Sequence, residues 1–196
     1  MGYLSLQELA ICLVLAVLAA LIAAAFYPVS VAISALFLTF VVLAITMTDV
    51  RHFIIPDVLS LPAIPAGVLA SWLTSSGDGS QAVMMSVVGA LLGGALLYAV
   101  KAGYEHVRHV DGLGLGDVKL YAAGGAWLGP GDLAVMLLLA SLAALIAVAI
   151  AMVVRGRRDI TRMTALPFGA FIAPAIWLVW VYQQVLQNQS LSLFGV

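Results

Sequence analysis

The sequence predicts an all-α protein, a polytopic membrane helix bundle of about seven transmembrane helices that forms one domain over residues 1–196. Composition is the first reason: 64% of the residues are hydrophobic and only 9% are charged, whereas soluble domains carry about 25% charged residues. The second reason is the length of the apolar stretches. Several follow one another along the chain, and each is close to the roughly 20 residues that a helix needs to cross a bilayer. The distribution of basic residues, described below, is the third.

Seven apolar segments are predicted, and two of them are irregular. The fifth is only about a dozen residues long, so it is expected to take its first turn from the glycine-rich stretch Gly112–Gly116. The third contains Pro62 and Pro65, which predict a kink or a late start. No basic region precedes the first segment, which favours a retained helix over a cleaved signal peptide. The segments are Leu6–Phe26, Val29–Thr48, Val58–Leu73, Gln81–Val100, Val118–Leu128, Leu133–Val154 and Leu166–Val185.

All eight Lys and Arg residues fall on one side of the membrane if the seven segments alternate. Arg51 lies in the second loop, and four arginines lie in the sixth. Lys101, Arg108 and Lys119 flank or enter the fourth loop, which is predicted at about Lys101–Asp117 and is the longest. The positive-inside rule therefore places these loops and the N-terminus in the cytoplasm.

Two aspartates lie at the ends of apolar segments on this same side. Asp49 follows the second segment, and Asp117 precedes the fifth, directly behind Gly114-Leu115-Gly116. Taken singly, each could simply mark a helix end, with Asp117 as an N-cap. Ionisable residues at membrane depth are costly, however, and usually functional. Paired carboxylates that share one proton supply a general acid and a general base, so the pair predicts a hydrolytic site.

Three motifs carry a family resemblance. They are Gly114-Leu115-Gly116-Asp117, Asp49 followed by Pro56-Asp57, and Leu166-Pro167-Phe168-Gly169. Together they resemble the motifs of the type IV prepilin peptidases, which are integral-membrane aspartic proteases, over about Ala44 to Pro174. Gly-x-Gly-Asp alone is weaker, because presenilin-type proteases share it.

The resemblance implies an aspartic endopeptidase in the cytoplasmic membrane of a prokaryote. It would cleave leader peptides from prepilin or pseudopilin-like precursors at the cytoplasmic face, without a cofactor or metal. Asp49 and Asp117 are the implied catalytic pair. The residues expected to shape the site or bind substrate are Gly114, Gly116, Lys119, Pro56, Asp57, Pro167 and Gly169.

The chain departs from the larger bacterial members of that family. Those carry a cytoplasmic insertion with paired Cys-x-x-Cys motifs, which is associated with N-methylation of the new N-terminus. Here little more than Tyr27-Pro28 joins the first two segments, and Cys12 is the single cysteine. We therefore expect a short form with peptidase activity only.

Smaller predictions concern neighbouring residues. Asp57 is expected to cap the third helix, and Lys119 to reach lipid headgroups or substrate rather than Asp117, since i,i+2 side chains on a helix do not face each other. The stretch Glu105-His106-x-x-His109 contains side chains that can bind a metal ion. We expect instead that these residues lie on the solvated surface of a mobile loop. No basic stripe interleaved with aromatic residues indicates nucleic-acid binding.

Three other functions fit the same residues. The first is a protease of the signal-peptide-peptidase type, which cuts within transmembrane helices. The second is a transporter that uses Asp49 and Asp117 as a proton or cation relay, although no inverted repeat is visible. The third is a scaffold without catalytic activity, which would tolerate neutralisation of both aspartates.

Overall fold

A computed structural model describes residues 4–75, 77–109, 113–155 and 166–194. These residues form seven α-helices and one short 3-10 helix, without a β-strand among them, which confirms the predicted all-α fold class. The helices are α1 (Leu6–Phe26), α2 (Val29–His52), α3 (Asp57–Thr74), α4 (Gly79–Arg108), α5 (Leu115–Leu128), the 3-10 helix Pro130–Asp132, α6 (Leu133–Arg155) and α7 (Gly169–Phe194).

Six of the described helices are long and apolar enough to cross a membrane. The exception is α5, whose 14 residues span about 21 Å at a rise of about 1.5 Å per residue. That length is less than the roughly 30 Å of hydrocarbon in a bilayer. Since most of its residues are buried, α5 is held by the surrounding helices, chiefly α3, α4 and α7. The sequence correctly predicts both its shortness and its first turn in the glycine stretch.

Two glycines allow α4 and α5 to approach closely. A Cβ on Gly89 of α4 would collide with the carbonyl oxygen of Gly125, and a Cβ on Gly125 would collide with that of Gly89. One turn further along α4, a Cβ on Gly93 would lie 3.0 Å from the Tyr121 carbonyl oxygen. The small-residue pattern Gly89-x-x-x-Gly93 therefore allows close helix packing, and it fixes the position of α5.

The expected loop at about Lys101–Asp117 is wrong, because α4 continues to Arg108 and ends at His109 in the left-handed conformation, with a φ of 55°. Lys101 and Glu105 form an i,i+4 ion pair on this extension, which supports a helix outside the hydrocarbon region. Residues 110–112 lie outside the described part of the chain.

The remaining boundaries differ by a few residues. α2 extends past Thr48 to His52, so that Asp49 lies within its last turn. α3 begins at Asp57 and includes both Pro62 and Pro65, so a late start is not observed. α7 begins at Gly169 instead of Leu166, and it continues to Phe194, nine residues beyond the predicted end at Val185. The arginines at 157, 158 and 162 lie outside the described residues.

Candidate active site

Four helix ends meet at one end of the bundle: α2 ends there, and α3, α5 and α7 begin there. The backbone N–H of Ala170 on α7 donates to Asp49 on α2, and Lys119 on α5 pairs with Asp57 on α3. This arrangement requires α3, α5 and α7 to run in the same direction. The sequence predicts the same orientation, because the third, fifth and seventh of seven alternating segments run in one direction.

Asp49 is a buried carboxylate at the N-terminus of another helix. Its side chain lies in the last turn of α2 and the residue is only 4% exposed. Oδ2 accepts the backbone N–H of Ala170 at 2.7 Å, and the backbone of Gly169 lies close to the same carboxylate. Free N–H groups at the start of a helix favour a negative charge, so the first turn of α7 compensates part of the cost of burying Asp49.

Asp117 is half-buried at the third position of α5. Its Oδ2 accepts the backbone N–H of Gly114 at 3.2 Å, and the backbone N–H of Gly169 lies near enough to affect its charge. Burial and, second, the charge of Asp49 raise the pKa of the Asp117 carboxyl to about 6. The two carboxylates that the sequence pairs therefore face one backbone amide, that of Gly169.

Ile55 lies between the two glycines of this site, and sequence reasoning missed it. A Cβ on Gly116 would lie 3.0 Å from Cβ of Ile55. A Cβ on Gly169 would collide with Cδ1 of Ile55 and lie 3.0 Å from Oδ2 of Asp49. A side chain at 169 would therefore have to displace Ile55 and crowd Asp49. The sequence signal for Ile55 was its place directly before Pro56.

Gly114 shapes the approach to Asp117 from the other side. It is the N-cap of α5 and has an ordinary φ of −71°. A Cβ at this position would lie 3.3 Å from Oδ2 of Asp117. A Cβ at either glycine would crowd a side chain of this region, Asp117 from position 114 and Ile55 from position 116.

Asp57 and Lys119 form an ion pair beside the two carboxylates. The Lys119 Nζ lies 2.7 Å from Oδ1 and 2.8 Å from Oδ2 of Asp57. The predicted cap by Asp57 is wrong, because Pro56 occupies the N-cap of α3 and no side chain caps that helix. Lys119 was expected to extend toward lipid or substrate; its ammonium group instead holds the start of α3 against the first turn of α5.

Pro56 and Pro167 border the site without contributing a side-chain hydrogen bond. Pro56 is buried, and its carbonyl oxygen accepts from Leu59 and Ser60 in the first turn of α3. Pro167 is half-buried two residues before α7. Both prolines precede a helix, where the missing N–H costs nothing.

Among the described residues, no group of three His, Cys, Asp or Glu side chains is placed to hold a metal ion. Glu105 and His106 belong to the last turns of α4, and His109 caps it, so they lie on a helix and not in the expected loop. Glu105 pairs with Lys101. The chemistry available at the bundle end is therefore that of two carboxylates and the backbone amides around them.

Comparison with known proteins finds similarity over most of the chain. Residues 36–149 match the model of the type IV leader peptidase family. The chain is 32% identical over 166 residues to a prepilin leader peptidase/N-methyltransferase of Aeromonas hydrophila, a match that covers 83% of this chain and 53% of that protein. A protein of the same description from Burkholderia pseudomallei is 35% identical over 151 residues, covering 76% of this chain and 46% of its own length.

A shorter relative is similar over most of its own length. Leader peptidase HopD of Escherichia coli is 34% identical over 131 residues, covering 67% of this chain and 81% of that protein. The chain spans about half the length of the longer relatives. No solved structure matches it. Asp49, Asp57, Asp117 and Lys119 all lie within residues 36–149, whereas Gly169 lies beyond them.

Proposed function

Because the chain belongs to the type IV leader peptidase family, we propose that it is an aspartic endopeptidase whose catalytic pair is Asp49 and Asp117. It removes the leader peptide from prepilin or pseudopilin-like precursors. The observation that carries this proposal is that both carboxylates lie close to the backbone N–H of Gly169. Two carboxylates around one amide are close enough to act on the same peptide bond.

The chemistry follows from one shared proton. In the active state Asp117 holds the proton, and Asp49, which accepts the backbone N–H of Ala170, is the carboxylate. Asp49 accepts a proton from the attacking water while Asp117 donates its proton to the carbonyl oxygen of the scissile bond. The tetrahedral intermediate collapses when the leaving nitrogen is protonated. Each turnover restores one proton to the pair.

The depth of the pair favours cleavage at the membrane boundary over cleavage within a transmembrane helix. Asp49 lies in the last turn of α2, and Asp117 lies in the first turn of α5. A leader peptide that precedes an apolar helix would present its junction at this level. The signal-peptide-peptidase type of activity would require the cut nearer to the middle of the bilayer.

The chain is an integral membrane protein, and we place the catalytic pair at the cytoplasmic side of a prokaryotic cytoplasmic membrane. Arg51 lies in the last turn of α2, Arg108 is the last residue of α4, and Lys119 is the fifth residue of α5. All three helix ends belong to the same face as the aspartates. Basic residues are enriched on the cytoplasmic side of membrane proteins, which supports this orientation. The expected lack of methyltransferase activity stays a prediction.

Leader removal from a purified precursor tests the proposal. The protein is reconstituted in lipid vesicles with a prepilin precursor, and Asp49→Asn and Asp117→Asn are compared with the wild type. Each substitution should abolish cleavage, because residues that act as a unit fail together. Asp78→Asn is the matched control, since Asp78 caps α4 at the other end of the bundle and asparagine caps equally well. Normal cleavage by either dyad variant would exclude the aspartic protease.

A further inference from the structure

The carboxylate of Asp49 is covered by protein atoms in this conformation. The residue is only 4% exposed, and its Oδ2 already accepts the backbone N–H of Ala170. A general base must lie within hydrogen-bond reach of the water that it activates, and the peptide bond to be cut must lie beside that water. This conformation is therefore closed to a precursor, and the element that covers Asp49 has to move before cleavage.

Ile55 is the side chain that covers Asp49. The position of a Cβ at residue 169 lies 2.9 Å from Cγ1 of Ile55 and 3.0 Å from Oδ2 of Asp49, so both side chains border the same point at the start of α7. On its other side Ile55 contacts Gly116, where a Cβ would lie 3.0 Å from that of Ile55. The buried Ile55 side chain thus fills the space between the first turns of α5 and α7.

Ile55 belongs to the short connection between α2 and α3, residues 53–56. The connection leaves α2 through Phe53, which has a φ of 53° and a ψ of 34°. Bulky residues seldom adopt this left-handed conformation, and strain of this kind is typical of segments that change conformation. Phe53 and Ile54 are exposed, whereas Ile55 and Pro56 are buried. Only half of the connection is therefore packed into the bundle.

One ion pair holds the far end of the connection. α3 begins at Asp57, and no side chain caps it, so its first turn lacks a common source of stability. Lys119 on α5 contacts both carboxylate oxygens of Asp57. Both side chains are partly exposed, and exposed pairs of this kind are weak because water competes for the charges. The start of α3 is thus attached to α5 by a contact that opens readily.

We propose that residues 53–56 form a gate over the two aspartates, with Ile55 as its plug and the ion pair of Asp57 with Lys119 as its latch. This inference rests on the proposed function, since it says how a precursor gains access to that same site. When the latch opens, the first turn of α3 moves away from α5 and takes Ile55 out of the space beside Asp49. Gly116 and Gly169 then border an open space, in which a peptide backbone can approach closely because neither residue has a side chain.

Chemical labelling of Asp49 tests the gate without a precursor. The protein in lipid nanodiscs, which leave both faces open to water, is treated with a water-soluble carbodiimide and glycinamide, and labelled carboxyls are identified by mass spectrometry. Lys119→Met and Asp57→Asn each break the latch and should raise labelling of Asp49 roughly two- to fivefold, as expected for an exposed ion pair. Ile55→Ala should raise it further, because it removes most of the plug.

The two latch variants control for attraction of the reagent. Lys119→Met removes a positive charge and Asp57→Asn removes a negative one, so the two substitutions change the local potential in opposite directions. A rise in labelling that both variants share therefore reports opening of the gate. A rise in one variant and a fall in the other would instead report the charge of the reagent, and would overturn the role of the latch.

Two further controls separate opening of the gate from general loosening. Glu105→Gln breaks the ion pair of Lys101 with Glu105, which lies within α4 and joins no two helices, and it should leave labelling of Asp49 unchanged. Asp132 is an internal reference, because it is half-buried at the opposite end of the bundle and accepts from Gln183. Its labelling should stay constant in every variant, whereas partial unfolding would raise the labelling of both aspartates.

A disulfide between the plug and α5 should have the opposite effect. The Cβ of Ile55 lies 3.0 Å from the position of a Cβ at residue 116, slightly less than the about 3.5–4.5 Å that a disulfide spans. Ile55→Cys combined with Gly116→Cys, with Cys12 replaced by alanine, should therefore oxidise readily. The oxidised protein should label Asp49 less than the reduced protein and cleave no precursor. Labelling is measured in both redox states, so that loss of activity through the substitutions themselves does not obscure the result.

Two results would overturn the gate. The first is equal labelling of Asp49 in the wild type, Lys119→Met and Ile55→Ala, and the second is labelling that the disulfide leaves unchanged. Either result together with normal cleavage by the wild type would overturn the gate alone. Cleavage by Asp49→Asn is a separate result, because it would exclude the aspartic protease while the labelling still reports whether residues 53–56 cover Asp49.

Discussion

The backbone N–H of Ala170 donates to Oδ2 of Asp49 over 2.7 Å, although the two residues lie 121 positions apart in the chain. This bond ties the start of α7 to the end of α2, and it makes the first turn of α7 a part of the proposed catalytic site. The position of α7 therefore affects the charge of Asp49 directly. For the same reason, the residues directly before α7 help to set the position of the Ala170 N–H.

Gly169→Ala should lower the rate of leader removal at least tenfold. The added methyl group would collide with Cδ1 of Ile55 and crowd Oδ2 of Asp49, and crowding of this kind costs about 1–3 kcal/mol. Adding Ile55→Ala should restore part of the rate by making room. Gly103→Ala is the control, because a Cβ there meets nothing within 4 Å. A Gly169→Ala variant with the wild-type rate would contradict the close contact.

The pH profile of kcat/KM should be bell-shaped. At low pH both carboxyls are protonated and no base remains, whereas at high pH both are ionised and no acid remains. The alkaline limb reports the upper ionisation of the pair, and it should fall near the pKa of about 6 for Asp117. The measurement is cleavage by the free enzyme between about pH 4 and 9. A rate that stays constant from pH 5 to about 9 would contradict a shared proton.

Chelation should leave this rate unchanged. The described residues offer no three-ligand metal group, and the proposed acid and base are both carboxyls. The test is cleavage after dialysis against a strong chelator, with zinc added back. Inhibition that zinc reverses would assign a role to a metal and weaken the case for the dyad.

The pair of Asp57 and Lys119 should act as a tether between α3 and α5. Both side chains are partly exposed, so their coupling in a double-mutant cycle of unfolding should be about 1 kcal/mol or less. Asp57→Asn and Lys119→Met should then have similar effects on KM. A rise in KM for Lys119→Met alone would show instead that Lys119 binds the precursor.

Single cysteines at Gly77 and Tyr104 should label from opposite sides of the membrane, after Cys12 is replaced by alanine. Both positions are exposed, and they lie near opposite ends of the bundle on either side of most of α4. An impermeant maleimide should reach Gly77→Cys in intact cells and Tyr104→Cys only after permeabilisation. Labelling of both from outside would contradict the cytoplasmic placement of the aspartates.

Much of this fold and the convergence of its two aspartates followed from the sequence. Apolar length predicts the helices, and alternation with basic loops places Asp49 and Asp117 on one face. The end of α4 did not follow, because the polar residues after Lys101 remain helical beyond the hydrocarbon. Ile55 and the partner of Lys119 were also missed. Both depend on contacts between helices that are distant in the sequence, and no periodicity reports such contacts.

The short buried helix α5 has a consequence for how the protein responds to its membrane. Helices that face lipid adjust to a thinner or thicker bilayer by tilting, and α1 and α6 are the most lipid-exposed of the described spans. α5 is held instead by the contact of Gly125 with Gly89. Hydrophobic mismatch would therefore be absorbed at the periphery, and the separation of the two carboxylates should stay constant across membranes of different thickness.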